Sequence, residues 1–496
     1  MIRMTTFAGR RVAVVGLGGS GRATAHALVA GGADVICWDD GAHGRDQAVA
    51  EGLTVTDLIW EDWGTLSAIV LSPGIPLTHP RPHWSVTRAH GERIPILGDV
   101  GLFFKERASR FPDARVIAIT GTNGKSTTTA LTAHLMGQLG FDVEMGGNIG
   151  RAVLTLDEPD PNTVFVLEVS SYQIDLAPKL TPDVGVLLNV TPDHIDRHGT
   201  LERYAAIKAR LPEEADHAVV SLDDAWTQGV AKTLENSGRL YAFTTGKGAA
   251  LIPKLYAIGT TLFVHEQDGA HASSREIASL EGIGSLRGQH NVQNALASLT
   301  ALRALADVTA NGDGCDPAVW APDRLGAALK TFPGLAHRLE VVGTVDGVLF
   351  VNDSKATNAE AAEKALSSFS DNIHWIAGGV AKAGGIASLQ PYFERLEQAY
   401  LIGEAAQQFA ATLDGAADVR RCETLDRAVS EAFAAAVRTN VEGRSQPVVL
   451  FSPACASFDQ YNNFEDRGEA FRQIVSGLPG YVAPGRGTAK PQPEAG

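Results

Sequence analysis

The chain has 496 residues, 44% hydrophobic and 20% charged, a globular composition too long for one domain of ordinary size. Its net charge of −15 argues against non-specific binding to nucleic acid or to an acidic membrane, both of which need a basic surface. The cysteines (Cys37, Cys315, Cys422 and Cys455) show no C-x-x-C spacing and read as reduced thiols, neither zinc site nor disulfide framework. The length suggests three domains, and with no apolar signal core near Met1 and no run of eighteen apolar residues a soluble, cytoplasmic protein is expected.

The first domain is expected over residues 1–106, where strand and helix patterns alternate. Arg11–Val15 and Asp34–Trp38 read as strands and Ser20–Ala30 as a helix. Between the first strand and the helix lies Gly16-Leu-Gly-Gly-Ser-Gly21, a G-x-G-x-x-G turn, and Asp39 and Asp40 follow the second strand. This is the dinucleotide fingerprint, though the same turn holds any diphosphate at a helix N-terminus. A third strand, Ala68–Leu71, runs into Ser72-Pro-Gly-Ile-Pro76, a turn placed to close over a ligand. Ile94–Arg107 reads as a strand, a short helix and the exit to the next domain.

The second domain, 107–335, opens on a strand, Arg115–Ile119, a Gly-rich turn, Thr120-Gly-Thr-Asn-Gly-Lys-Ser-Thr127, and a helix over Ser126–Leu139. Glycines there let backbone N–H groups approach an anion, and the helix N-terminus adds partial positive charge. Lys125 can reach the β- and γ-phosphates of a nucleotide and the Ser126 hydroxyl can ligate Mg²⁺. The common pattern G-x-x-x-x-G-K-[ST] wants glycine at 119, where this chain has Ile119, so the match is to a shorter form.

A second Gly-rich loop ends Asp142–Gly150. The buried-strand pattern Thr163–Val169 carries an acid near its end, Glu168, placed like a metal-ligating carboxylate downstream of a phosphate loop. Val184–Val190 leads into Asp193, His194, Asp196 and His198, a cluster at the strand edge where α/β proteins hold ligands. In the helix Leu201–Arg210, Lys208 reads by pattern alone as a surface lysine. Segments near 217–222, 239–245 and 259–264 have strand character. Asn291 and Asn294, three apart on a long helix ending near Ala306, can face one ligand or cap and line that helix. Residues 307–322 read as a loop insertion.

The third domain, 336–480, begins with a hairpin over Val341–Val351 turning at Asp346-Gly347. Asn352-Asp-Ser-Lys-Ala-Thr-Asn358 and a helix follow. Ile373–Gly379, Ala399–Ile402 and Pro447–Phe451 continue as strands, with Lys382 and Ser452–Asp459 just beyond strand ends. The Pro/Gly-rich tail 481–496 reads as disordered.

Together these stretches resemble the Mur ligase family. Thr120–Thr127 is similar to its ATP loop, including the missing first glycine. Gly146–Gly150, Leu167–Ser171, Asn189–Arg197, Gly288–Asn291, Asn352–Asn358 and Ser452–Ser457 extend the likeness over residues 10 to about 475, and Asp353–Asn358 points to the branch that adds D-glutamate. The resemblance implies three α/β domains, Rossmann-like, P-loop-ATPase-like and Rossmann-like, in an enzyme of peptidoglycan synthesis. It implies ATP-dependent amide bond formation between UDP-N-acetylmuramoyl-L-alanine and D-glutamate through an acyl phosphate. Implied cofactors are ATP, two Mg²⁺ and CO₂ as a lysine carbamate; a monomer without nucleic-acid or membrane partners is expected.

By resemblance, Lys125, His194 and Lys208 are catalytic. Gly121, Thr122, Asn123, Gly124, Lys125, Ser126 and Thr127 hold ATP with Asn291, Arg338, Asp353 and Lys355. Ser126, Glu168, His194 and a carbamylated Lys208 serve metal. Gly18, Ser20, Asp39, Ser72, Gly74 and Asn148 fall to the UDP substrate, with Gly19 and Gly41 departing from relatives. Thr357, Lys382, Ser457 and Phe464 fall to D-glutamate. The alternatives are another ligase of the family and, in a different class, an NAD-linked dehydrogenase, which explains Gly16–Gly21 but leaves Lys125, Glu168 and His194 without roles.

Overall fold

Three short strands rich in Val, Ile and Ala, Arg11–Val15, Asp34–Trp38 and Ala68–Leu71, pair in parallel with Ile96–Leu97. Their sheet runs in the order second, first, third, fourth. Such strands, buried on both faces, need helices on either side. The computed structural model describes residues 1–246, 251–268, 271–310, 321–382, 384–441 and 443–484.

A nine-stranded sheet follows. Its parallel part places Arg115–Thr120 between Val184–Leu187 and Thr163–Glu168, with Asp142–Gly147 at the edge. On the other side come His217–Ser221 and Leu240–Thr244, then Leu255–Ile258, Thr261–Asp268 and His271–Ser279, the last three joined antiparallel. The hairpin strand His271–Ser279 has no counterpart in the sequence reading. The long helix runs over Gln289–Ala310, past the expected end; residues 311–320, including Cys315, lie outside those described.

The chain divides into two compact units, Met1–Ser279 with His290–Leu329, and Leu280–Gln289 with Lys330–Gly496. Within the first unit both sheets share one core, in which Val12 and Val14 belong to the same apolar cluster as Val116 and Phe165. The helix Asp99–Arg110 contributes Val100, Leu102, Phe103 and Phe104 to it. That helix is longer than the sequence suggested, and Arg107 at its end donates to Asp183 in a buried ion pair at 2.7 Å.

The second unit holds a six-stranded sheet. Glu340–Val345 and Val348–Asn352 form the antiparallel hairpin, turning at Asp346-Gly347. Val448–Phe451, Ile373–Gly378, Leu396–Ile402 and Val419–Glu423 then add in parallel. Side chains alternate between two cores: Val351 and Trp375 lie on one face, Phe350 and Ile376 on the other. Tyr481 donates to Val342 O at 2.9 Å and Val482 pairs with Thr344, which places the start of the expected tail on this sheet; residues 485–496 lie outside those described.

Candidate active site

The turn after Arg115–Thr120 has the conformation its glycines allow. Gly121 and Gly124 take φ +158° and +83°, and the helix starts at Lys125. A Cβ on Gly124 would sit 2.3 Å from Asn294 Oδ1, so the loop passes directly over the long helix. Asn294 itself is buried: its Oδ1 accepts from Thr128 Oγ1 at 3.2 Å and its Nδ2 donates to Asn291 Oδ1 at 2.9 Å. Of the two asparagines, Asn294 thus ties two helices together. Asn189 holds the loop from the other side, accepting from Asn123 N and donating to Asn123 O.

Two lysine amines meet at this turn. Lys125 Nζ donates to Gly121 O at 2.9 Å and Thr122 O at 2.8 Å. Lys208 Nζ donates to the same Gly121 O at 2.8 Å and to Thr120 Oγ1 at 3.3 Å. Lys208 is 1% exposed, which corrects the pattern-based reading of a surface lysine. Its helix, Leu201–Glu213, turns Tyr204, Ile207, Lys208 and Leu211 inward on one stripe, and the amine lies 4.8 Å from the Tyr204 ring centre. Burial, reinforced by the Lys125 charge, pushes the Lys208 amine well below the usual lysine range.

Glu168 ends its strand buried beside this turn's strand. Its Oε1 accepts from Asn148 Nδ2 at 2.8 Å, and among the described residues its buried Oε2 has no partner. Asn148 therefore positions the carboxylate. Ser126, also buried, opens the helix. Among the described residues no three His, Cys, Asp or Glu side chains gather closely enough to hold a metal ion. An unpartnered carboxylate oxygen and a helix-start hydroxyl are nevertheless the hard oxygen donors that Mg²⁺ takes, with phosphate oxygens completing the set.

His194 sits in the left-handed region, φ +53°, at the start of the four-residue helix Ile195–His198. Its ring is half exposed, 3.4 Å from Asp193 and 4.9 Å from the Tyr172 ring centre, and burial lowers its pKa. The cluster expected here separates: His194 faces outward, whereas His198 is buried, stacked on Tyr172 and 2.9 Å from Ser171 Oγ. Arg197 reaches the Ser72–Pro76 turn, donating to the carbonyls of Pro73, Gly74 and Ile75.

At the first sheet, Gly21 approaches Gly16 O so closely that a Cβ would stand 1.8 Å away. Asp39 Oδ2 accepts from Leu17 N at 2.5 Å and Oδ1 from Gly41 N at 2.7 Å, so this acid braces the turn. Ser72 Oγ donates to Gly16 O at 2.6 Å. The Ser20 hydroxyl donates to the buried Asp99, which Gln173 also holds. Gly18 caps the helix and leaves open space at its α-carbon, as does Gly74.

In the second unit, Asp353 is buried, accepting from Leu339 N and from Ser452 Oγ at 2.7 Å. Burial pushes its carboxyl up to about 7, with Arg338 pulling the other way. The Lys355 amine lies 5.6 Å from the Phe464 ring centre. Val380–Ala381, just before Lys382, pairs antiparallel with Cys455–Ala456, just before Ser457, so Lys382 and Ser457 leave this short ladder at its opposite ends. Thr357 follows Lys355 in a tight turn, its N–H donating to Lys355 O.

Comparison with known proteins decides the family. Residues 119–302 match the model of the Mur ligase middle domain, and residues 337–455 that of the Mur ligase, glutamate ligase domain. The UDP-N-acetylmuramoylalanine--D-glutamate ligase of Mesorhizobium japonicum is 51% identical over 97% of this chain and 98% of its own length. That of Brucella abortus is 53% identical over 98% of this chain and 100% of its own length. The chain belongs to the Mur ligase family. In fold it is similar to the UDP-N-acetylmuramate-alanine ligase MurC of Thermotoga maritima, with TM-score 0.53, 18% identity, and 93% and 98% of the two chains covered. Membership in the ligase family sets the dehydrogenase alternative aside.

One residue escaped the sequence reading. Arg467 is 1% exposed, donates through Nε and Nη2 to Ser354 and through Nη2 to Cys455 O, and has a buried Nη1 with no partner among the described residues. It ties the Asn352–Asn358 stretch to Ser452–Ser457, two of the stretches that carry the resemblance. Its signal was positional: it stands with Phe471 and Val475 on the inward face of Phe464–Ser476.

Proposed function

We propose that the chain is an ATP-dependent ligase that joins D-glutamate to UDP-N-acetylmuramoyl-L-alanine, a cytoplasmic step of peptidoglycan synthesis. Likeness over nearly its whole length to relatives that carry that activity in their names is the observation that carries the reading. The chemistry is consistent with the loop. A carboxylate is a poor electrophile until one oxygen becomes a leaving group. The L-alanine carboxylate therefore attacks the γ-phosphorus of ATP, ADP departs, and the acyl phosphate is attacked by the D-glutamate amine. The tetrahedral intermediate then expels phosphate, leaving the amide.

Gly121–Thr127 grip the phosphates through backbone N–H groups, with Lys125 swinging from its loop carbonyls to the transferring group. Ser126, Glu168 and His194 would hold Mg²⁺, which when bound offsets the charge of the meeting anions. Lys208, whose amine burial shifts toward the neutral form, reacts with CO₂: nitrogen bonds to carbon, a proton leaves, and a carboxylate-like donor results. By the family resemblance we assign Asn291, Arg338, Asp353 and Lys355 to nucleotide binding, and Thr357, Lys382, Ser457 and Phe464 to D-glutamate. Gly18, Ser20, Asp39, Ser72, Gly74 and Asn148 surround the UDP substrate; Ser20, Asp39 and Asn148 act chiefly through backbone shape, since their side chains are engaged within the protein. We assign domains to 1–106, 107–335 and 336–480, and a monomer.

The test is the substrate requirement. Phosphate release from ATP should need both UDP-N-acetylmuramoyl-L-alanine and D-glutamate. An NAD-dependent absorbance change without ATP, or turnover only with another amino acid, would overturn the assignment.

A further inference from the structure

The four-residue helix Ile195–His198 is too short to hold its own shape in water, so His194 points where tertiary contacts aim it. Among the described residues, ring packing on Tyr172 and Tyr204 is joined by three anchoring contacts, all within the first compact unit. His198 is tied to Ser171. Gly199, φ +85°, packs so closely on His79 that a Cβ would meet Nε2 at 2.7 Å. Arg197 makes the third and widest. Its Nη1 donates to Gly74 O at 3.0 Å, and its Nη2 to Pro73 O at 3.3 Å and Ile75 O at 3.1 Å. The same guanidinium lies 4.7 Å from the centre of the Tyr172 ring, the ring that also faces His194.

The other end of this clasp leads to the first Gly-rich turn. Ile75 N donates to Ser72 O, and Ser72 Oγ donates to Gly16 O. A continuous run of contacts therefore joins Gly16 through Ser72, Pro73–Ile75 and Arg197 to the helix that presents His194. Three successive carbonyls and one aromatic face suit a planar guanidinium, which a compact ammonium cannot replace.

We propose that Arg197 is a positioning residue that couples occupation of the Gly16–Ser72 site by the UDP substrate to the orientation of His194. The inference rests on the ligase reading above. Binding of the UDP moiety settles the Ser72–Pro76 turn, Arg197 transmits that setting, and His194 is held for the reaction at the phosphate loop.

The experiment compares the full-length protein with R197M and R197K, measuring kcat, KM for each of three substrates, thermal midpoint, and calorimetric binding of UDP-N-acetylmuramoyl-L-alanine without ATP. For R197M we expect kcat to fall at least tenfold and both KM and Kd for the UDP substrate to rise at least fivefold. KM for ATP should stay within twofold. R197K, which keeps the charge but not the fork, should fall between R197M and wild type. A lowered thermal midpoint with kcat and the UDP-substrate KM unchanged would reduce Arg197 to a structural brace and overturn the proposal. Should R197M fail to fold, wild-type constants in R197K overturn it equally. Absence of D-glutamate-dependent phosphate release in the wild type would instead fault the ligase reading itself.

Discussion

Lys208 shows how much a single side chain's surroundings decide. An exposed lysine amine is almost wholly protonated at pH 7 and inert toward CO₂; this one is buried beside another amine, which favours the neutral form. Lys208→Ala should cut phosphate release more than a hundredfold, with partial recovery on adding short carboxylic acids that fill the vacated space. Full activity in the variant would leave the lysine a packing residue. The sequence reading placed it at the surface on residue type, although Tyr204, Ile207, Lys208 and Leu211 follow the i, i+3, i+4, i+7 stripe that the structure turns inward. His374 is buried between Tyr400 OH and Thr439 Oγ1, and burial lowers its pKa to about 4. Folding thus favours its neutral form, and stability is lost as pH falls from about 6.5, the unfolded value, through 4. By pH 4 the loss is on the order of 3 kcal/mol, the free energy of holding the imidazole neutral down to about 4. Denaturant titrations at pH 7 and pH 4 should show His374→Gln losing correspondingly less than wild type.

At the scale of elements, the phosphate turn, the strands around it and the hairpin at Asp346-Gly347 were legible because local rules set them: apolar runs, glycine spacing and a two-residue turn. What local rules omit is where a loop leans. Gly124 needs φ +83° and also space, since the Asn294 amide occupies the position a Cβ would take. Asn294 stands 170 residues away in number and beneath the loop in space, so the pairing could not be read from either segment. Gly124→Ala should destabilise the fold by about 2 kcal/mol, from left-handed strain and the displaced amide. It should also raise KM for ATP at least tenfold while leaving KM for D-glutamate within threefold. Melting curves and initial rates decide it. Strand His271–Ser279 went unread for the opposite reason: Ala-Ser-Ser-Arg-Glu has neither strand propensity nor alternation, and its pairing with Thr261–Asp268 imposes the conformation.

For the whole molecule, length pointed to a globular protein of several parts, and the alternation of strand and helix fixed its α/β class. How the parts share cores lay beyond it. The first two sheets contribute to one apolar cluster because Asp99–Arg110 serves both, a helix whose sequence shows only that it is amphipathic. Type and spacing singled out candidate site residues, but not which neighbours their side chains hold. Ser20, Asp39 and Asn148 read as ligand contacts, and their side chains also brace the protein itself, while Arg467, unremarked in the sequence, joins the two stretches of the second unit.

The Arg197 clasp bears on how such a chain tolerates being recombined. Three consecutive carbonyls set its register, so lengthening or shortening Ser72–Pro76 by one residue would leave the guanidinium facing the wrong partners. A first sheet transplanted from a relative therefore has to arrive with a turn of identical length, or bring its own Asp193–Gly199 segment along. The nominal boundary near residue 106 is a poor place to cut, because the molecule's working joint runs between residues more than a hundred positions apart.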